Sequence, residues 1–117
     1  MTLQTDLKHI VDTDEFNKFI QENENVMVCC GRMGPMCVPV YDIMEELEEE
    51  DNYKHIKFTD MLFDNPHAAV IRNLQECSGF MGLPFNVYYK NGKVAKATTS
   101  IQNREQITEI LDSEFSK

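Results

Sequence analysis

Residues 82–94 read GLPFNVYYKNGKV, which is the pattern of two short strands joined by a tight turn. The strand-forming segments are residues 85–89 and 94–98, and the turn between them contains Asn91-Gly92. A type I′ turn needs positive φ at both central positions, and Asn followed by Gly meets that need at low cost. The stretch therefore predicts an antiparallel β-hairpin that is entered through Pro84.

Before the hairpin, strand and helix patterns alternate along the chain. Strands are predicted at residues 7–11, 25–30 and 56–63, and helices begin at residue 12 or 13, after residue 36 and at residue 66. The apolar run NVMVCC at residues 25–30 is typical of a strand buried on both faces, as in a parallel sheet. A last helix begins at Asn103, where Gln106 completes a capping-box pattern. The order predicts an α/β fold with a central mixed β-sheet flanked by helices on both faces.

The length, charge and distribution of apolar residues indicate which classes of protein are disfavoured. The chain has 117 residues and a net charge of −9, from 11 Lys and Arg against 20 Asp and Glu, which disfavours binding to nucleic acid. The length suits a single domain over residues 1–117. No apolar run approaches the ~20 residues that span a bilayer, and the first ten residues carry Asp6 and Lys8 instead of an apolar signal core. We therefore expect no membrane partner and a cytoplasmic location, where cysteines stay reduced and serve chemistry more often than cross-linking.

Three local motifs, each containing a proline, occur along the chain. Gly82-Leu83-Pro84 leads into the hairpin, Asp64-Asn65-Pro66 opens the third helix, and Gly34-Pro35 lies between a buried strand and a long helix. Over residues 5–115 the chain thereby resembles the thioredoxin family. The resemblance implies a thioredoxin-like fold in which Pro84 follows a cis peptide bond and faces the active site. It also implies a groove beside Pro84 that binds extended peptides.

The active-site motif departs from the family pattern. Thioredoxins carry Cys-Gly-Pro-Cys, whereas this chain has Met33-Gly34-Pro35-Met36 followed by Cys37. Arg32 replaces the Trp that usually precedes the motif, and residues 26–30 hold no counterpart of the family's buried Asp. Two alignments stay open: one keeps Gly-Pro and puts Cys37 just after the resolving position, and the other slides by one and puts Cys37 on it. Neither alignment restores a CxxC pair.

Cys37 is the candidate nucleophile because it falls in the first turn of the second helix. A helix N-terminus offers unpaired N–H groups and a positive dipole end, which stabilise a thiolate. The resemblance brings the start of this helix beside the loop that carries Pro84, so Cys77 is one candidate partner thiol. Cys30, seven residues before Cys37, is the other, and Cys37 acting alone or packed in the core completes the alternatives.

Two functions follow from these residues. The first is a thiol–disulfide redox protein that acts on a protein disulfide or peptide, with a reductase as electron donor. The second is a redox-inactive module that binds peptides in the groove. We expect a monomer in either case. The residues expected to bind the substrate are Pro84, Leu83, Met33, Gly34, Pro35 and Met36.

No cofactor and no metal are expected. Met33, Met36, Cys37 and Cys30 are soft ligands of the kind that Cu(I) prefers. The pattern nevertheless lacks a flanking His and a second Cys at CxxC spacing, and Met also fills apolar surfaces without any metal.

Overall fold

The computed structural model describes residues 3–75 and 82–115. Two short 3₁₀ turns, Asp51–Tyr53 and Pro66–Ala68, precede β3 and α3. The helices and strands in chain order are β1 (Lys8–His9), α1 (Thr13–Glu22), β2 (Asn25–Gly31), α2 (Val38–Glu48), β3 (Lys57–Leu62), α3 (Ala69–Arg72), β4 (Phe85–Lys90), β5 (Lys93–Thr99) and α4 (Arg104–Glu114).

Within the described residues, five strands form one mixed sheet in the order β1-β3-β2-β4-β5. β1, β3 and β2 run parallel, whereas β4 is antiparallel to β2 and β5 is antiparallel to β4. β2 lies at the centre of the sheet, and all seven of its residues are buried. Its apolar run is explained by helices on both sides, so the predicted α/β architecture is confirmed.

The two faces of the sheet hold separate cores. α2 and α4 cover one face, where Tyr41, Met44 and Leu111 pack against Met27 and Tyr88. We call this the α2 face. α1 and α3 cover the opposite face, which we call the α1 face, and there the buried side chains include Phe16, Ile20, Ile71, Val28 and Val87. Alternate residues of β2 and β4 therefore point to different cores.

The local turn and cap signals are present in the structure. Asn91 has φ 54° and Gly92 has φ 80°, as a type I′ hairpin turn requires. The capping box at α4 is complete, since Asn103 Oδ1 accepts the Gln106 N–H at 2.8 Å and Gln106 Oε1 accepts the Asn103 N–H at 2.9 Å. At α1 the cap is Asp12, whose side chain accepts the Glu15 N–H at 2.7 Å.

Some elements are shorter than predicted. β1 holds only two residues and pairs with β3 alone at the edge of the sheet. α2 ends at Glu48, where bonds of the 3₁₀ type from the Glu49 and Glu50 N–H groups tighten the last turn. Further acidic residues beyond that point would face the negative end of the helix dipole. α3 is reduced to four residues after a 3₁₀ turn.

The helices within residues 3–75 and 82–115 include none that is long and apolar enough to cross a membrane.

Candidate functional site

The site lies where β2 ends and α2 begins. β2 ends at Gly31, and the chain turns back so that Cys37, the N-cap of α2, packs against that glycine. A Cβ built on Gly31 would lie 2.8 Å from Cys37 Sγ, 2.8 Å from Tyr41 Oη and 3.1 Å from Pro84 Cβ. Gly31 therefore leaves the space in which the predicted thiol and the predicted groove proline meet.

Pro84 comes to the same place, beside Gly31, from a distant part of the sequence. It is buried immediately before β4, and the Leu83–Pro84 peptide bond is cis. Phe85, the next residue, pairs with Cys30 of β2, so Pro84 stands beside Gly31 at the same end of the sheet. Two segments that are almost 50 residues apart in the sequence thus build one site.

A backbone N–H group faces the sulfur of Cys37. The Arg32 backbone N–H points at Cys37 Sγ from 3.4 Å, and Tyr41 Oη in turn donates to the Arg32 carbonyl at 3.2 Å. The positive end of the α2 dipole lies at the same residue. Yet Cys37 is only 3% exposed, so a substrate reaches the sulfur only when its surroundings move.

The loop of residues 32–36 presents apolar side chains to solvent. Met33 is 46% exposed and Met36 is 44% exposed, and among the described residues nothing beyond its chain neighbours lies within 4 Å of a Cβ built on Gly34. Pro35 is also exposed. The predicted motif residues therefore form an open apolar rim beside Cys37.

Arg32 anchors this loop to the turn that follows β3. Its guanidinium donates to Asp64 from both Nε (2.9 Å) and Nη2 (2.7 Å) and lies 5.3 Å from the centre of the Phe63 ring. The hydrogen bond from Arg32 lowers the pKa of the Asp64 carboxyl. The residue that replaces the family's Trp is thus a polar tether for the loop.

The described cysteines divide between the two cores. Cys29 lies on the α2 face together with Cys37, whereas Cys30 lies on the α1 face. All three are buried. Cys77 lies outside the described residues. Of the predicted thiols, the structure thus places Cys37 at the site and Cys30 on the opposite side of the sheet.

This division also separates the soft ligands. Met33, Met36 and Cys37 share one loop and helix start, but Cys30 belongs to the other core. Among residues 3–75 and 82–115, no group of three or more His, Cys, Asp or Glu is placed to hold a metal ion.

The structure adds a buried polar row that the sequence analysis missed. Directly paired positions across the sheet carry His9 on β1, Asp60 on β3, Cys29 on β2, Asn86 on β4 and Thr98 on β5. Asp60 is 1% exposed, accepts a hydrogen bond from Thr5 Oγ1 and lies 2.8 Å from His9 Nδ1. Asn86 Nδ2 donates to Thr98 Oγ1 at 3.3 Å. The row runs through the α2 face beneath the helix that begins at Cys37.

Asp60 supplies the buried carboxyl that residues 26–30 lack. Burial raises its pKa, against the opposing effects of the hydrogen bonds from Thr5 and His9. A signal for it was present in the sequence, because Asp60 is two residues from Phe58 and therefore shares its face of the strand. That alternation predicts a charged group pointing into the core.

The raised pKa of Asp60 leads to a pH-dependent prediction. The folded protein holds this proton more tightly than the unfolded chain, so the contribution of Asp60 to stability falls as pH rises from its ordinary pKa of about 4 through its folded pKa. Asp60→Asn removes the titration. We expect the stability of Asp60→Asn relative to wild type to increase from acid to neutral pH, measured by urea unfolding at a series of pH values.

Asp64→Asn is the matched control for this experiment. Its carboxyl has a lowered pKa, so it stabilises the fold above its ordinary pKa and loses that contribution as pH falls. The stability of Asp64→Asn relative to wild type should change with pH in the opposite direction, and by less, because the ion pair is exposed. Parallel pH profiles for the two variants would contradict the assignment.

Comparison with known proteins gives structural matches only. No protein-family profile matches the chain, and no curated protein matches its sequence. A thioredoxin from Plasmodium falciparum is 21% identical, with a TM-score of 0.74 over 92% of this chain and 98% of that one. An N21Q mutant thioredoxin from Halobacterium salinarum is 13% identical, with a TM-score of 0.77 over 100% of this chain and 97% of that one. Thioredoxin f2 of Chlamydomonas reinhardtii is 14% identical, with a TM-score of 0.76 over 95% and 98%. At these identities the likeness shows the fold alone, and the predicted thioredoxin-like fold is confirmed.

Proposed function

We propose, from the premise that this chain has the thioredoxin fold, that it is a thiol–disulfide exchange protein whose exchange thiol is Cys37. The observation that carries the proposal is the meeting of Cys37 Sγ and Pro84 at Gly31. A thiol at the first turn of a helix, facing a backbone N–H, is placed where a negative sulfur is stabilised. A thiol packed only among apolar atoms would lack that support.

The reaction is exchange with a protein disulfide. The Cys37 thiolate attacks one sulfur of the substrate disulfide, a mixed disulfide forms, and the other substrate sulfur leaves as a thiolate that takes up a proton from solvent. A second thiol then releases the substrate. A reductase or a small thiol returns the protein to its reduced form, and we propose a monomer that works in the cytoplasm.

The exposed apolar side chains near Cys37 suit an extended peptide. Met33 and Met36 are exposed in the loop just before Cys37, and Pro84 lies against Gly31 at the end of the same sheet strand. Methionine is flexible and polarisable, so such a rim adapts to different side chains. Extended peptides bind through main-chain hydrogen bonds beside apolar pockets. The exposed methionines therefore support a protein or peptide substrate over a small polar one.

Cys37→Ala tests the proposal. With insulin as a model protein disulfide and dithiothreitol as the electron source, we expect wild type to accelerate disulfide reduction and Cys37→Ala to fall to the rate seen without protein. Cys30→Ala is the matched control, because it removes an equally buried thiol on the other face of the sheet and should retain activity. Equal rates for wild type and Cys37→Ala would overturn the proposal.

The low exposure of Cys37 favours a second candidate, a redox-inactive module that binds peptides beside Pro84. In that case an extended peptide should bind equally well to wild type and to Cys37→Ala, while Met33→Ala with Met36→Ala weakens binding. Insulin reduction at the background rate combined with such binding would favour this candidate over exchange.

A further inference from the structure

Cys37 shares its space with one other described thiol, and that thiol is Cys29. Side chains at positions i and i+2 of a strand point to the same face, about 7 Å apart. The direction that a side chain on Gly31 would take is occupied by Cys37 Sγ, which lies 2.8 Å from that Cβ position. Cys29 is two residues earlier on β2 and points the same way, into the same core. On this face of β2, the Cys29 thiol is therefore the side chain that follows the position beside Gly31 where Cys37 Sγ lies.

The electrostatics agree with this placement. Burial is the main reason that the pKa of Cys29 is raised, and the next contribution comes from Cys37, ahead of the chain neighbour Cys30 and of Asp60. Cys37 therefore acts on Cys29 more strongly than the residue bonded to it does. The reason is geometric, since Cys30 points through to the α1 face.

We infer that Cys29 is the resolving thiol for Cys37, so that the redox pair of this protein joins the middle of β2 to the start of α2. The inference rests on the proposed exchange function and specifies its second step. It replaces Cys30 as a partner, because Cys37 and Cys30 are separated by the backbone of the central strand. A bond between those two would require β2 to turn over within the sheet.

The chemistry balances with the substrate disulfide as oxidant. After Cys37 has formed the mixed disulfide, Cys29 sulfur attacks Cys37 Sγ and the substrate sulfur leaves. The proton of Cys29 passes, in net, to the leaving substrate thiolate. Two thiols of the protein become one disulfide, and one substrate disulfide becomes two thiols. The two electrons gained by the substrate come from Cys29 and Cys37.

Bond formation needs a small rearrangement at one end of the molecule. Both thiols are free in this structure, and a disulfide needs Cα atoms about 4.4–6.8 Å apart. β2 is held by neighbouring strands on both sides, so the first turn of α2 is the part that moves. The loop before this turn contains Gly34 and has Met33, Pro35 and Met36 exposed, so it is held by few buried contacts. The same movement would expose Cys37 to a substrate.

Disulfide mapping tests the inference. The full chain is oxidised with oxidised glutathione, quenched by acid and alkylation, and digested with trypsin. Cleavage after Arg32 puts Cys29 and Cys30 in one peptide (residues 19–32) and Cys37 in another (residues 33–54), so a cross-link between them is seen directly. Fragmentation of the cross-linked pair distinguishes Cys29 from Cys30. We expect a Cys29–Cys37 bond.

Two matched variants sharpen the result. Cys30→Ala should still form the bond, whereas Cys29→Ala should stop with glutathione attached to Cys37. A bond from Cys37 to Cys77 or Cys30, or glutathione on Cys37 with no internal bond in wild type, would overturn the inference and leave the exchange function standing. No disulfide of any kind on Cys37 would overturn both. If Cys29→Ala does not fold, the maps of wild type and Cys30→Ala decide the question alone.

Discussion

Gly31→Ala is expected to destabilise the protein by about 1–3 kcal/mol, the usual cost of forcing an extra methyl group into a packed core. The new Cβ would lie 2.8 Å from both Cys37 Sγ and Tyr41 Oη and 3.1 Å from Pro84 Cβ. All three neighbours are buried, so the packed core must shift to admit the methyl group. Urea unfolding of the variant and of wild type measures the difference in the free energy of unfolding.

Gly34→Ala is the control for Gly31→Ala. It lies three residues away, and its φ is not in the left-handed region. Apart from its chain neighbours, no residue that the structure describes comes within 4 Å of its Cβ position. Its effect should stay within about 0.5 kcal/mol, or be slightly stabilising through the stiffer unfolded chain. Similar losses for both glycines would show that Gly31 does not hold the close contact described here.

Tyr41→Ala should lower the free energy of unfolding by more than Gly31→Ala does. We expect a loss of about 3–5 kcal/mol, which is typical when a large aromatic side chain in a core is truncated. Tyr41 is 1% exposed on α2 and packs on the α2 face. Its hydroxyl also holds the loop, through its bond to the Arg32 carbonyl. Burial raises the pKa of Tyr41 far above its ordinary value, so the hydroxyl stays protonated and donates throughout the neutral range. Thermal or urea unfolding measures the loss.

Tyr41→Phe separates the ring from the hydroxyl. It keeps the packing and removes one hydrogen bond, so we expect a loss of about 1 kcal/mol. If Tyr41→Phe were as damaging as Tyr41→Ala, the hydroxyl rather than the ring would dominate, and our account of the packing would be wrong. The two variants also report on function, because the Tyr41 hydroxyl donates to the carbonyl of Arg32 in the loop beside Cys37.

The proposed thiol pair lies deeper in the fold than the exposed loop beside it. Met33 and Met36 occupy exposed positions where they add apolar surface. Cys37 and Cys29, the pair we propose, are both buried in the core of the α2 face. A pair of this kind is shielded from solvent when reduced. Its reactivity would depend on movement of residues 32–36.

Part of this protein follows from short stretches of sequence. Asn91-Gly92 specifies the hairpin turn, and Asn103 with Gln106 specifies the start of α4, because each motif satisfies its own backbone within a few residues. The alternation of strands and helices predicts the α/β sheet for the same reason, since hydrophobic period is a local property. The adjacency of Cys29 and Cys30 likewise predicts that they face opposite sides of their strand.

Only the tertiary structure determines which core each face of the strand packs into and which residues contact one another there. Cys37 lies with Cys29, and Gly31 must lack a side chain, because α2 packs across the end of β2 and Pro84 arrives from β4. The register of β3 against β2 sets Asp60 directly opposite Cys29. Such contacts join residues far apart in the chain, and their register depends on the packing of the whole sheet. No local pattern of residues carries that information.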